Sequence, residues 1–368
     1  MEQNDTPEYA QLKAGVTGSD LLEAVRRSGY PLQAAVATKL QQALSENEMR
    51  GEMQEEWAYL DRESGQVRAL DVFADIPLSH STDKSDRAHC RLNVLIECKQ
   101  GELPYVFFLR KDAPQNSVSF PEIIGTASPD MQIFATVEHE EMPPDFSYLL
   151  SVHDALACHE FEIFDNPPFH AISLTKAARR GSKLELTGED AYRSITLPLL
   201  KSADHLTSIA PTGDRDPIRF LTPLDVIDAP MIGTLQHEGK NIFLAIPWVR
   251  MSYLEPFNER QSWNRTSSRV RYFDVVHSSR LSKYLEILLG GVKACADRVI
   301  ENHSVLKSGV AVMGPEERYV RMRELEEDRR KYIPEGPMGR VSKLYGGRQL
   351  GLQKGVEIDE DSIAVLDW

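Results

Sequence analysis

Cysteine is scarce in this chain: Cys90, Cys98, Cys158 and Cys295 are the only four among 368 residues, and no two stand in a CxxC spacing. That argues against a disulfide scaffold and fits a reduced compartment. No apolar run approaches the ~20 residues that a membrane-spanning helix needs. The opening residues, MEQNDTPEYAQLKAG, have no apolar stretch of the signal-peptide kind. The expectation is a cytoplasmic protein without a membrane partner. Two nucleotide and nucleophile signatures are also missing. There is no GxxxxGK[ST] loop to cradle phosphates, so ATP-driven action by this chain alone is not expected. There is no GxSxG elbow to present a serine nucleophile. Positive charge is in deficit as well: 42 Lys and Arg face 56 Asp and Glu, a formal net charge of −14. That balance argues against general adhesion to nucleic acid or anionic membranes, while leaving room for one basic groove.

What is present is ordinary for a folded chain: 41% apolar and 27% charged residues. The length exceeds most single cores and predicts two domains, or one with a large annex. GSDLLEAVRRSG reads as a short helix with Ser19 as N-cap and Gly29 as stop. YPLQAAVATKLQQALSE reads as a second, with Pro31 in its first turn and one apolar stripe. EEWAYL and residues 67–76 read as strands joined by the turn DRESGQ, followed by the polar loop PLSHSTDKSDRAHC. RLNVLIECKQ and PYVFFLRK read as the third and fourth strands. Residues 112–150 carry weak periodicity and read as a connection or lid. FHAISLTKAARRGSKLEL and EDAYRSITLPLLKSADHL read as helical in part, with Pro198 starting or kinking a helix. Three further strands and the strongest helix of the chain, LSKYLEILLGGVKACADRVIENHSVL, follow. The order helix, strand, strand, strand thus occurs twice, over 31–100 and 189–250, without residue-level similarity.

The telling stretch is RLNVLIECKQGELPYVFF, residues 91–108. Val94, Leu95 and Ile96 form a buried-strand pattern, yet Glu97, Cys98 and Lys99 follow at once. Ionised groups belong there only if they pair, bind metal or do chemistry. Strand alternation places Glu97 and Lys99 on one side and Cys98 on the other. Asp71 lies in RALDVFADI, the preceding strand. If the two strands pair, a carboxylate from each faces a common point. Two acids with the Cys98 carbonyl between them form an oxygen-rich site suited to Mg²⁺ (or Mn²⁺), with Lys99 beside it. That set suits phosphodiester hydrolysis, with the ion as Lewis acid and the lysine orienting water or stabilising charge. The plainer reading is that Asp71 caps or salt-bridges at a strand end while Glu97 and Lys99 are a solvated pair.

The helix GYPLQAAVATKL, the strand RALDVFA and the strand NVLIECKQ stand in an order that resembles the restriction-endonuclease-like superfamily, the PD-(D/E)xK nucleases. The resemblance covers roughly residues 19–110. It implies an α/β fold: a restriction-endonuclease-like core, a mixed β-sheet flanked by helices, with a second α/β region. The family pairs an acid on the second strand with D/E-x-K on the third, and Asp71, Glu97 and Lys99 match. Members often carry a glutamate on the first helix, where this chain has Gln33. Gln33 can hold a water but brings no charge; Glu23, one helix earlier, could substitute. Gln100 joins the candidates because some relatives place a polar residue after the lysine. The resemblance therefore implies a Mg²⁺- or Mn²⁺-dependent endonuclease. Asp71, Glu97 and the Cys98 carbonyl would hold the metal, with Lys99, Gln33 and Gln100 completing the site. It implies DNA more often than RNA, and roles in restriction, repair or defence against mobile elements and viruses. A homodimer would let two sites cut two strands, and a partner protein is compatible with the class. The rival keeps the fold and drops the chemistry: an inactive nucleic-acid-binding or assembly subunit, with Gln33 marking decay of the site.

On this reading, residues 1–125 are the nuclease-like domain and 126–160 a connection. Residues 161–310 form a second α/β domain for substrate binding or oligomerisation, and 311–368 a charged, Gly-rich extension. Two basic stretches are candidates for nucleic-acid contact. ERQSWNRTSSRVRY holds Arg260, Arg265, Arg269 and Arg271, with Trp263 to stack on a base. KAARRGSK holds Lys176, Arg179 and Arg180. Either could instead pair with the abundant acids. His153, Cys158, His159, Glu160 and His170 crowd together in sequence but match no common zinc spacing. PLDVIDAP, with Asp225 and Asp228, would mimic the first site. Its following strand has Pro247, Trp248 and Arg250 where an active pair would stand, so such a copy should be inactive.

Overall fold

The computed structural model describes residues 10–80, 88–110, 120–135, 147–165, 167–211, 213–237, 239–254, 270–313, 322 and 364–365. Helix α1 (Gly18–Arg27) and helix α2 (Tyr30–Glu46) open it. Thr17, not Ser19, caps α1: its hydroxyl accepts the Asp20 N–H while the Asp20 carboxylate accepts the Thr17 N–H. Gly29, with φ of 84°, turns the chain into α2, and Pro31 sits in that helix's first turn. Strands β1 (Glu52–Asp61), β2 (Gln66–His80), β3 (His89–Gln100) and β4 (Tyr105–Arg110) come next. β5 (Glu122–Ile124), β6 (Asp130–Ala135) and β7 (Ser147–Ser151) lie within the weakly periodic stretch, followed by the one-turn helices α3 (Val152–Ala155) and α4 (Glu162–Asp165).

The segment expected to be partly helical at 169–186 is instead a hairpin of β8 (His170–Arg180) and β9 (Lys183–Thr187). After α5 (Gly188–Ala191) and a π-turn, α6 (Leu197–Ile209) begins with Pro198 in its first turn. Strands β10 (Ile218–Asp228), β11 (Met231–His237), β12 (Lys240–Ala245), β13 (Trp248–Leu254) and β14 (Val270–His277) follow. Helices α7 (Leu281–Glu301) and α8 (His303–Ser308) and strands β15 (Val310–Met313) and β16 (Ala364–Val365) complete the described elements.

Among the described residues the main sheet has thirteen strands, in the order β1-β2-β3-β10-β14-β13-β8-β4-β11-β12-β16, with β5 and β9 as side branches. β1, β2 and β3 form an antiparallel meander. β10 then lies parallel to β3 along its length, from Cys90–Ile218 to Gln100–Asp228. Strands from residues 1–125 and from 161–310 therefore interleave in one sheet. A small second sheet, β15-β6-β7, stands apart.

Helices cover both faces. On one, Val36, Leu40 and Leu44 of α2 and Leu285, Leu288 and Val292 of α7 pack on Val72, Ala74, Val94, Ile96 and Val226. On the other, Leu199, Ala203 and Leu206 of α6 pack with Leu95, Phe107, Leu221, Ile227 and Val275. The helical spacing of those leucines makes this possible, and each full burial contributes about 1.5–3 kcal/mol. The architecture is mixed α/β, a large mixed sheet flanked by helices. A buried ion pair ties the far side together: Arg250 meets Asp274 at 2.8 Å and donates to the Phe164 and Ile163 carbonyls. Its donors are matched inside the core, which is what permits a charge there. Among the described residues no helix is long and apolar enough to cross a membrane.

Candidate functional site

The antiparallel register of β2 and β3 runs from His80–His89 to Val72–Ile96. At the next position a side chain continues it: Asp71 Oδ2 accepts the Cys98 N–H at 2.6 Å. β1 contributes to this irregularity. Glu56, lying between the Glu55–Val72 and Trp57–Leu70 pairs, has φ of 51°. Across it the two-residue alternation of β2 breaks, because Leu70 and Phe73 face the α6 side while Val72 faces α2 and α7. On β3, Leu95 belongs to the α6-side core, so Glu97 and Lys99 share that face. Glu97 is buried, and its Oε2 receives Lys99 Nζ at 2.5 Å. The solvated-pair reading of Glu97 and Lys99 is thus replaced by a largely buried ion pair.

Asp225 of β10 sits opposite Glu97 in the parallel register. It is 0% exposed, and among the described residues neither carboxylate oxygen has a hydrogen-bond partner. The sequence suggested that Asp225 belongs to a decayed copy of the site. Among the described residues, however, β10 pairs with β3, β14 and β5 rather than with β12 or β13. It therefore brings its acid to the first site.

Burial pushes the Glu97 carboxyl up to about 7; the Lys99 ammonium opposes this, and the Asp71 and Glu56 charges add to it. Burial also raises Asp225 far above the usual carboxylate range, with Lys99 opposing and Glu97 and Asp71 reinforcing. Burial alone would lower Lys99, but the Glu97 and Asp225 charges outweigh it and hold the ammonium above the ordinary lysine range. Two phenols border the group. Tyr59 is pushed up to about 12 by burial and then by Glu97, and Tyr105 to about 12 by burial and then by Asp225. Burial thus favours the protonated forms of Glu97 and Asp225, a preference that a divalent cation held by carboxylate oxygens would reverse. Among the described residues no three His, Cys, Asp or Glu side chains already stand as a chelating group. Asp71 is turned to the Cys98 amide and Glu97 to Lys99.

The remaining candidates scatter. Gln33 is buried on α2 and donates to Glu55 of β1 at 3.4 Å. Gln100 donates to the Arg26 carbonyl at the end of α1. Glu23 is exposed on α1 and paired with Arg27. The Cys98 thiol is buried in the core of the opposite face, so only its backbone reaches the acids. Arg271 is 3% exposed and faces Asp204 at 2.7 Å and Glu122 at 3.2 Å, so its guanidinium is held inside the fold. Arg260, Trp263, Arg265 and Arg269 lie outside the described residues. His153 bonds to the Pro121 carbonyl and Cys158 approaches Cys295 at 3.4 Å, so these two are core groups.

Lys176 and Arg179 line an open groove of about 600 Å³, with Leu103, Thr187, Asp190, Arg193 and Ser194. Arg180 pairs at the surface with Glu185. Tyr105 links the groove to the acidic site: the Lys176 ammonium lies 5.5 Å over its ring, and its phenol feels the Asp225 charge. Arg193 was not singled out in the sequence; it carries no local basic cluster to mark it. Comparison with family models, curated proteins and solved structures finds no significant match to the chain.

Proposed function

We propose that this chain is a metal-dependent endonuclease that hydrolyses phosphodiester bonds of DNA, with a restriction-endonuclease-like core. The observation that carries the reading is the meeting of Asp71, Glu97 and Lys99 at one end of the β2–β3 pair, behind a helix and on the second and third strands of a meander. Asp71 and Glu97 would hold Mg²⁺ or Mn²⁺, with the Cys98 carbonyl as a further oxygen donor, and the ion would supply Lewis acidity at phosphorus. The chain's own groups do the rest. Lys99, held by Glu97, orients the attacking water and balances charge as the sugar oxygen departs. Tyr59 and Tyr105, both buried, lie close enough to feel the Glu97 and Asp225 charges respectively. The groove beside Tyr105, with Lys176, Arg179 and Arg193, offers cations to the phosphates flanking the cut. Restriction or defence against mobile elements is the role that the class suggests.

Plasmid incubated with Mg²⁺ or Mn²⁺ tests this. Wild type should nick it, while Asp71→Ala and Lys99→Ala, checked for folding by thermal melt, should lose about 10²-fold or more in rate. Equal background in all three would leave the rival, a nucleic-acid-binding subunit without chemistry.

A further inference from the structure

We propose that Asp225 is a third metal-ligating carboxylate of this site, supplied by a strand outside the Asp…Glu-x-Lys motif. The inference rests on the endonuclease reading above and adds a residue to it. Two observations carry it. The first is register: Asp225 stands opposite Glu97 on neighbouring parallel strands. Such strands lie about 4.8 Å apart and put opposed side chains on the same face. Two carboxylates so placed can share one ion. The second is the state of Asp225 itself, 0% exposed with both oxygens unpartnered among the described residues. A buried carboxylate without partners costs several kcal/mol, so the fold retains it only if something else engages those oxygens. The nearest cation, Lys99, is already engaged by Glu97 at 2.5 Å. A proton would satisfy one oxygen. A divalent cation satisfies both and also offsets the neighbouring Glu97 and Asp71 charges. Asp228, the next acid of the same strand, is different: it is exposed and accepts a hydrogen bond from Ser278 at 2.6 Å. In this assignment Glu97 and Asp225 would both hold the ion, and Lys99 would keep its role at the attacking water.

Mn²⁺ titration of full-length wild type, Glu97→Gln and Asp225→Asn, with free Mn²⁺ read by electron paramagnetic resonance, tests the assignment without any substrate. Wild type should bind, and both variants should bind at least 10-fold more weakly. Without metal, Asp225→Asn should not melt lower than wild type, because its oxygens lose no partner among the described residues; a merely structural Asp225 would give a lower melt. Wild-type affinity in Asp225→Asn alongside loss in Glu97→Gln would overturn the assignment and leave the endonuclease reading standing. A wild type that binds no Mn²⁺ would overturn both. Should Asp225→Asn not fold, electron–nuclear double resonance on Mn²⁺-loaded wild type with ¹³C-carboxyl aspartate decides. Two coupled aspartates are expected, and one alone refutes the assignment.

Discussion

His170 shows how single residues set the acid limit of this fold. Burial, reinforced by the Arg250 guanidinium, holds its imidazole down from 6.5 to about 4. As pH falls from 6.5 towards 4, the unfolded chain takes up a proton that the folded chain refuses, so stability is lost across that window and levels off below it. His170→Phe, which also removes an unpartnered buried ring nitrogen, should flatten this loss. Melting temperatures of variant and wild type should diverge in the variant's favour between pH 7 and pH 4.5. At this scale the sequence is partly legible. Asp71, Glu97 and Lys99 announce themselves because each interrupts an apolar strand, and the meander that joins those strands is local. Asp225 interrupts an apolar strand in the same way, but its neighbour lies far off in the chain, and no periodicity says which strand lies beside β10. Arg271 misleads for the converse reason. It sits in a run of arginines that looks solvated, yet it opens β14, a strand flanked on both sides in the sheet.

Elements were readable where one period dominates. Helix α7 carries Leu281, Leu285, Leu288 and Val292 on one buried seam and starts where that spacing says, but it ends at Glu301, and residues 303–308 form the separate α8. Leu288 is fully buried there, so Leu288→Ala should cost about 2–5 kcal/mol in denaturant melts without changing the oligomeric state. The β8–β9 hairpin was not readable. Ala171, Leu174 and Ala177 are its buried residues, a spacing of three that imitates a helix. A register shift against β4 between Phe108 and Leu109 swaps the face that β8 presents between Ala171 and Leu174, the first of these intervals. Gly181, with φ of 64°, then supplies the turn that a helix would not need.

At the scale of the whole molecule, a net charge of −14 coexists with a cationic groove beside the acidic cluster. Net negative charge repels a polyanion, and among the described residues this groove offers a cationic approach. Lys176→Ala and Arg179→Ala should each weaken DNA binding across sequences and reduce the slope of log affinity against log salt by about 1. Anisotropy titrations at several salt concentrations, with Ca²⁺ in place of Mg²⁺ to suppress cutting, would measure it. Strand order at this scale escapes the sequence altogether. The resemblance over residues 19–110 implies an α/β protein, but not that β8 and β10 would be threaded among strands from the opening third.

The placement of β10 against β3 bears on the birth of the molecule. On the ribosome, the segment carrying Glu97 emerges well before the one that will shield its flank. During that interval the nascent chain shows a bare, apolar backbone edge, the kind of surface that neighbouring chains adhere to. A message broken before residue 218 would yield a product with Asp71, Glu97 and Lys99 all present but no finished sheet. Such a fragment is a substrate for chaperones and proteases rather than a minimal version of the protein.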